Sequence, residues 1–203
     1  MIINDSFPKF DLPIDFIADD SITGDILNYY SNFPCKIKAG VFVLCTEGMV
    51  KATINLLEVV IRKNDFVIVL PNSFIQIHEV SSDTRISFAG FSSDFMLSGN
   101  YVEILLDFMP MILNSPVISL QEDVAGLYRN VYLLLIRAYT LPHSLENKEI
   151  IRSVLAIFLQ GTKELYKRYG KKLDEPLRRE QELYRQFIQL LMAHYTKEHE
   201  VAF

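Results

Sequence analysis

The hydrophobic period of this chain changes once, after Phe91, and that change limits the fold more than any other feature. Upstream, apolar residues come in short runs rich in Val, Ile, Phe and Thr: Lys36–Cys45, Met49–Leu56, Leu57–Ile61, Phe66–Leu70, Phe74–Val80 and Thr84–Phe91. Polar signals divide them at Glu47-Gly48, Arg62–Asp65, Pro71–Ser73 and Ser81–Asp83. Short strands separated by turns roughly every eight to twelve residues predict an antiparallel sandwich or small barrel. Glu47-Gly48 reads as a hairpin turn joining the first two runs.

Downstream the spacing becomes helical. Ser92-Ser93-Asp94 is suited to cap a short helix, and Tyr101–Met109 forms an apolar patch that ends at Pro110. Asp123 is placed to cap a helix with the stripe Val124, Leu127, Tyr128, Val131, Leu134, Leu135 and Ala138, broken at Leu141-Pro142. Within Ser144–Tyr169, the residues Ile150, Ile151, Val154, Leu155, Phe158, Leu159, Thr162 and Leu165 repeat at three and four, and Gly170 supplies the stop. Two such helices with a short connection predict an αα-hairpin. Lys171–Pro176 reads as a charged hinge before a third amphipathic stretch, Arg178–Phe203, with Tyr184, Phe187, Ile188, Leu191 and Tyr195 on one face. The apolar end Glu200-Val201-Ala202-Phe203 is unlike a terminus that frays into water, so a further domain is expected after it. The fold class expected is therefore α+β: a β-unit over 1–91, a helical region over 92–170, and a hinge and linker helix over 171–203.

Composition removes several function classes. No run approaches the roughly 18 uninterrupted apolar residues of a membrane span, and the start MIINDSFPKF lacks a basic segment followed by an apolar one, so a cytoplasmic protein is expected. Cys35 and Cys45 are too few for a disulfide framework or a zinc site and read as buried small hydrophobes. Residues 1–120 hold 7 Lys and Arg against 14 Asp and Glu, a balance of −7, whereas residues 121–203 hold 13 against 11, or +2. Neither part offers the dense basic face that phosphate binding needs. The four histidines, His78, His143, His194 and His199, do not cluster, and no nucleophile elbow, phosphate-cradling loop or carboxylate pair occurs, so no catalytic residue is assigned.

The stretch Asn64-Asp65-Phe66-Val67-Ile68-Val69-Leu70-Pro71-Asn72-Ser73-Phe74-Ile75-Gln76-Ile77-His78 resembles the second cupin motif, an acidic turn, a strand, a Pro turn and a histidine. The first cupin motif, with two alternate histidines and a glutamate, has no counterpart in Val41–Leu56. A lone imidazole cannot hold a catalytic metal, which takes about three protein ligands, so no metal and no cofactor are expected. The whole order resembles the regulatory half of AraC-type transcription regulators: a cupin-like barrel, two long helices, then Phe187-Ile188-Gln189-Leu190-Leu191-Met192-Ala193-His194-Tyr195 leading toward a helix-turn-helix domain. The resemblance implies a non-enzymatic sensor whose barrel binds a small organic effector, a sugar or a hydrophobic metabolite. It also implies a homodimer, and contact with DNA only through the following domain. Strand alternation puts Phe42 with Leu44, and Phe74 with Gln76 and His78, each set on one face, and these five are the candidate effector-binding residues. Leu127, Val131, Leu134, Leu135, Leu155, Phe158 and Leu159 are the candidate dimer anchors. The alternative is a metal-dependent cupin-type enzyme acting on a sugar or small acid.

Overall fold

The computed structural model describes residues 9–10, 12, 14–29, 31, 33–97, 101–140, 148–169, 179 and 183. In chain order these form β1 (Lys9–Phe10), β2 (Phe16–Thr23), α1 (Gly24–Tyr29), β3 (Cys35–Ile37), β4 (Gly40–Glu47), β5 (Met49–Ile54), β6 (Leu57–Arg62), β7 (Asp65–Val69), β8 (Ser73–Val80) and β9 (Arg85–Phe91). There follow α2 (Ser93–Leu97), α3 (Tyr101–Asn114), β10 (Val117–Ser119), α4 (Glu122–Thr140) and α5 (Lys148–Tyr169). The expected hinge and linker helix over 171–203 lies outside the described residues, Arg179 and Leu183 excepted.

Among the described residues the strands make two five-stranded sheets, β1-β3-β8-β5-β6 and β10-β7-β4-β9-β2, so of the sandwich and small barrel expected it is the sandwich that forms, with no closed barrel. Pairing is antiparallel except between β1 and β3. Alternation then builds three layers. On β4, Val41, Val43 and Cys45 point toward the first sheet, where they meet Val50, Ala52, Ile54 and Ile61. Phe42 and Leu44 point the other way and join Phe66, Ile68, Ala89 and Phe91 against the helices. The second sheet is thus the middle layer, which is why β7 is buried at every position from Asp65 to Val69.

The expected hairpin at Glu47-Gly48 does not form. β4 pairs with β7 and β9, whereas β5 pairs with β6 and β8, so Gly48 carries the chain from one sheet to the other. It does so at φ +77, and a Cβ there would come within 2.6 Å of Thr84 Cα, so only glycine fits this corner. The hairpin of this region is β5–β6, turned by Asn55 and Leu56 at φ +48 and +72, the left-handed pair of a two-residue loop. Asn55 is at home there; Leu56 is not, and the Asn55 side chain holds the turn by accepting from Phe74 N and donating to Ser73 Oγ, both at 2.9 Å.

The helical boundaries shift for similar reasons. Ser92 Oγ accepts from Phe95 N at 3.2 Å and starts α2 as expected. α3 runs through Pro110, where an end was expected, because Phe108 and Ile112 on either side of it are both buried and outweigh the lost hydrogen bond. α4 begins one residue before Asp123, with Ala125 N bonded to Gln121 O at 2.8 Å. Between α3 and α4 the chain returns to the middle sheet as β10, pairing with β7, inside the segment expected to be wholly helical.

Candidate functional site

The five residues expected to line an effector pocket do not meet. Phe42 and Leu44 are buried between the middle sheet and the helices. Phe74, Gln76 and His78 lie on the solvent face of the other sheet, where Lys36 stands 5.7 Å from the Phe74 ring centroid and His78 Nε2 is 2.7 Å from Thr53 Oγ1. Each set does share one face, but the faces are the two outer ones of the sandwich, because the inward positions of these strands are Val41, Val43, Ile75 and Ile77. Among the described residues no three His, Cys, Asp or Glu side chains come together so as to hold a metal ion.

The expected dimer anchors divide as sharply. Leu135, Leu155, Phe158 and Leu159 are buried in the chain's own core against the middle sheet, so they stabilise the monomer and are not surface anchors. Val131 is half-buried, while Leu127 is 62% and Leu134 54% exposed. On α4 Ala125, Tyr128, Tyr132 and Leu135 are buried, with Val124, Val131 and Ala138 half-buried against the same core, so of the stripe read from sequence only Leu127 and Leu134 face away from it. Two adjacent stripes at heptad spacing give α4 an apolar arc wider than the sheet covers.

The layer between sheet and helices is aromatic. Phe158 is its hub, with ring centroids at 4.9 Å from Phe42, 5.6 Å from Phe66 and 5.4 Å from both Tyr128 and Tyr132. Tyr128 also packs on Phe66 at 4.9 Å. Three tyrosine hydroxyls enter this layer and fare differently. Tyr166 donates to Ser115 O at 2.8 Å. Among the described residues the Tyr132 hydroxyl is buried without a hydrogen-bond partner, while that of Tyr128 lies beside Thr162, whose oxygen can accept from it and whose own proton goes to Phe158 O at 2.7 Å. Burial pushes the Tyr128 phenol up to about 12 and that of Tyr132, only 1% exposed, well above its ordinary value, so both stay protonated and act as donors. An unpaired buried hydroxyl costs about 1–3 kcal/mol, and a phenylalanine would avoid it. Gly161 adds a second cost: a Cβ there would lie 2.9 Å from the Tyr128 oxygen, and glycine inside a helix is about 1 kcal/mol worse than alanine. Sequence reading counted Tyr128 only as an apolar stripe member and passed over Tyr132; the available signal was two tyrosines four apart on a helix that has to bury one face.

A polar clasp ties the start of this helix layer to the β-unit. Asn64, at φ +67 in the acidic turn, accepts Leu120 N at 3.0 Å and donates through Nδ2 to Glu122 Oε2 at 2.6 Å. Arg129 Nη2 donates to the other Glu122 oxygen at 2.6 Å. The bonds from Asn64 and Arg129 hold the Glu122 carboxyl below its usual range.

No protein-family model matches the chain, and no curated protein matches it. Solved structures do. ToxT from Vibrio cholerae is 12% identical, with 92% of this chain and 68% of that one covered at a TM-score of 0.40. The AraC-like transcriptional activator CuxR is 10% identical, with 80% of this chain and 54% of that one covered at a TM-score of 0.44. EutQ from Clostridium difficile is 14% identical, with 39% of this chain and 55% of that one covered at a TM-score of 0.27. The chain thus spans about half of CuxR, and the solved structures similar to it include AraC-like regulators.

Proposed function

We propose that this chain is the effector-binding and dimerising half of an AraC-type transcription regulator, governing a helix-turn-helix domain that lies outside the 203 residues. The observation that carries this reading is the double use of α4. One stripe, Ala125, Tyr128, Tyr132 and Leu135, is spent on the chain's own core, and a neighbouring one keeps Leu127 and Leu134 in water. Those leucines are seven apart, the repeat of a two-helix seam, and a second copy of the chain is the partner that satisfies both at once. The dimer contact expected from sequence therefore narrows to Leu127, Val131 and Leu134. No helix among the described residues is long and apolar enough to cross a membrane, and the −7 balance over residues 1–120 keeps this half off DNA, leaving contact with DNA to the other domain.

The effector in this reading is a hydrophobic metabolite rather than a sugar. The layer between the sheets is walled by Val, Ile, Ala and Cys side chains, and the layer under the helices chiefly by aromatic and aliphatic ones. A buried sugar would leave several hydroxyls unpaired, each at a cost of about 1–3 kcal/mol.

Leu134→Glu tests the seam. The variant should keep the circular dichroism and, within about 0.5 kcal/mol, the stability of the parent, yet scatter light as a monomer, whereas Leu155→Glu should unfold. A Leu134→Glu chain that stays dimeric places the interface elsewhere. Full-length protein carrying Leu134→Glu should lose affinity for its promoter; undiminished binding would remove the regulatory role of this half.

A further inference from the structure

The outward face of α4 is ordered by charge as well as by hydrophobicity. Asp123, Leu127, Asn130, Leu134 and Arg137 follow one another at spacings of four, three, four and three, so they lie on one line along the helix, and all five are exposed. An acid stands at the N-terminal end of that line, a base at the C-terminal end, and an amide in the middle between leucines that are 62% and 54% exposed. Counted from Asn130, the leucines stand three and four residues away and the charges seven, so reversing the line lays leucine on leucine and a base on an acid. A two-fold contact between copies brings residue i to residue j and j to i, and this face meets that condition in both shape and sign. Glu122, the neighbouring acid, is held on the other flank by Asn64 and Arg129.

We propose that Asp123 and Arg137 fix the direction of the seam between two copies of this chain. The α4 helices run antiparallel, Leu127 lies against Leu134 of the partner subunit, and Asp123 pairs with Arg137 of the partner subunit at both ends. This direction rests on the dimer reading above and adds to it the residues that select one orientation over the other. In a parallel pair each Asp123 would face Asp123 of the partner subunit and each Arg137 would face Arg137 of the partner subunit, setting like charges together at both ends. The antiparallel pair turns both ends into attractions and opposes the two helix dipoles. Asn130 then falls close to the two-fold axis, where its amide both donates to and accepts from Asn130 of the partner subunit. A single polar residue inside an apolar seam sets register at some cost in strength, which suits a contact that must be specific.

Sedimentation equilibrium of the 203-residue chain measures the dimer dissociation constant, and circular dichroism checks that each variant is folded. Asp123→Arg and Arg137→Asp each turn both end pairs into like charges and should weaken the dimer about tenfold or more. The double variant Asp123→Arg/Arg137→Asp restores opposite signs and should associate within about threefold of the parent. Added salt should weaken the parent dimer, whereas a parallel seam with its like charges would tighten. Cross-linking reads the direction without any change of charge: in a Cys35→Ala background, with Cys45 buried, a mixture of Leu127→Cys and Leu134→Cys chains should oxidise to the mixed disulfide, and neither chain should link to itself. Self-linkage of the Leu127→Cys chain, or charge reversals that leave the dimer as tight as the parent, overturns the proposal and leaves the dimer reading standing. A parent chain that sediments as a monomer at every concentration overturns both together.

Discussion

The two faces of the middle sheet bury different chemistry. Toward the other sheet lie Cys45, Val50, Ala52, Ile54, Ile61, Val67, Val69 and Ile86, branched or small side chains that interdigitate and whose polar neighbours are satisfied at the rim, as with Ser73 and Asn55. Toward the helices lie Phe42, Phe66, Phe91, Phe108, Phe158, Tyr128 and Tyr132, rings in edge and tilted contact that bury tyrosine hydroxyls, that of Tyr132 without a hydrogen-bond partner among the described residues. β-branched residues suit a pleated surface meeting another pleated surface, whereas a rounded helix on a sheet leaves gaps that rings fill. The first layer is built for stability alone. The second tolerates polar cost, and its α4 carries the functional proposals on its outer side.

The largest expected effect separates the layers by truncation. Phe158→Ala should cost about 4 kcal/mol, since it removes the hub of four ring contacts, and Ile54→Ala between the sheets about 3 kcal/mol. Urea unfolding followed by circular dichroism measures both, and the reverse order would mean that the aromatic layer is the looser one.

Alkaline titration probes each layer through its buried acids. Burial lifts the Cys45 thiol from 9.0 to about 11 and the Tyr128 phenol from 10.0 to about 12. Below pH 9 both groups are protonated whether the chain is folded or not, and nothing is lost. As pH rises the unfolded thiol and then the unfolded phenols ionise first, so stability should fall by about 2 kcal/mol through pH 9–11 from Cys45 and by at least a similar amount from Tyr128 through pH 10–12, with buried Tyr132 and Tyr166 adding to the second loss. Cys45→Ala should flatten the first part of the curve and Tyr128→Phe should reduce, without abolishing, the second, where Tyr132 and Tyr166 still contribute; a curve unchanged by either substitution would show that the two acids are not held apart from water.

The smallest effect carries the opposite sign. Tyr132→Phe should stabilise by about 1 kcal/mol, because it deletes a hydroxyl that has no partner and keeps the ring against Phe158. A loss of stability in thermal unfolding would mean that the hydroxyl is satisfied in solution and that the contrast between the layers is one of shape alone.

How much of this was legible beforehand differs from region to region. The inward face of α5 was readable almost residue by residue, and Ile151, Val154, Leu155, Phe158, Leu159, Thr162 and Leu165 are all buried. On α4 the stripe members Val124, Tyr128, Val131, Leu135 and Ala138 pack against the core as read, whereas Leu127 and Leu134 do not and Ala125 and Tyr132 were passed over, since an exposed leucine has the same helical spacing and hydrophobicity as a buried one. β2, with Asp19, Asp20 and Ser21 in its centre, gave no strand signal, because it is an edge strand whose pattern is interrupted by an irregularity between Asp19 and Ile22.

From its residues alone, then, the chain determines where strands give way to helices, which side chains along each strand share a face, and which glycine must turn a corner, because backbone sterics and side-chain period are local properties. It does not determine which strand lies beside which, so Gly48 could be read as a hairpin turn when it is a crossing between sheets. Nor does it determine what each face meets: Phe42 and His78 share the outward parity of their strands, but only packing places a helix over the first and water over the second. Pairing and layering depend on contacts between residues far apart in sequence, and the burial of the tyrosine hydroxyls exists only once those contacts have formed.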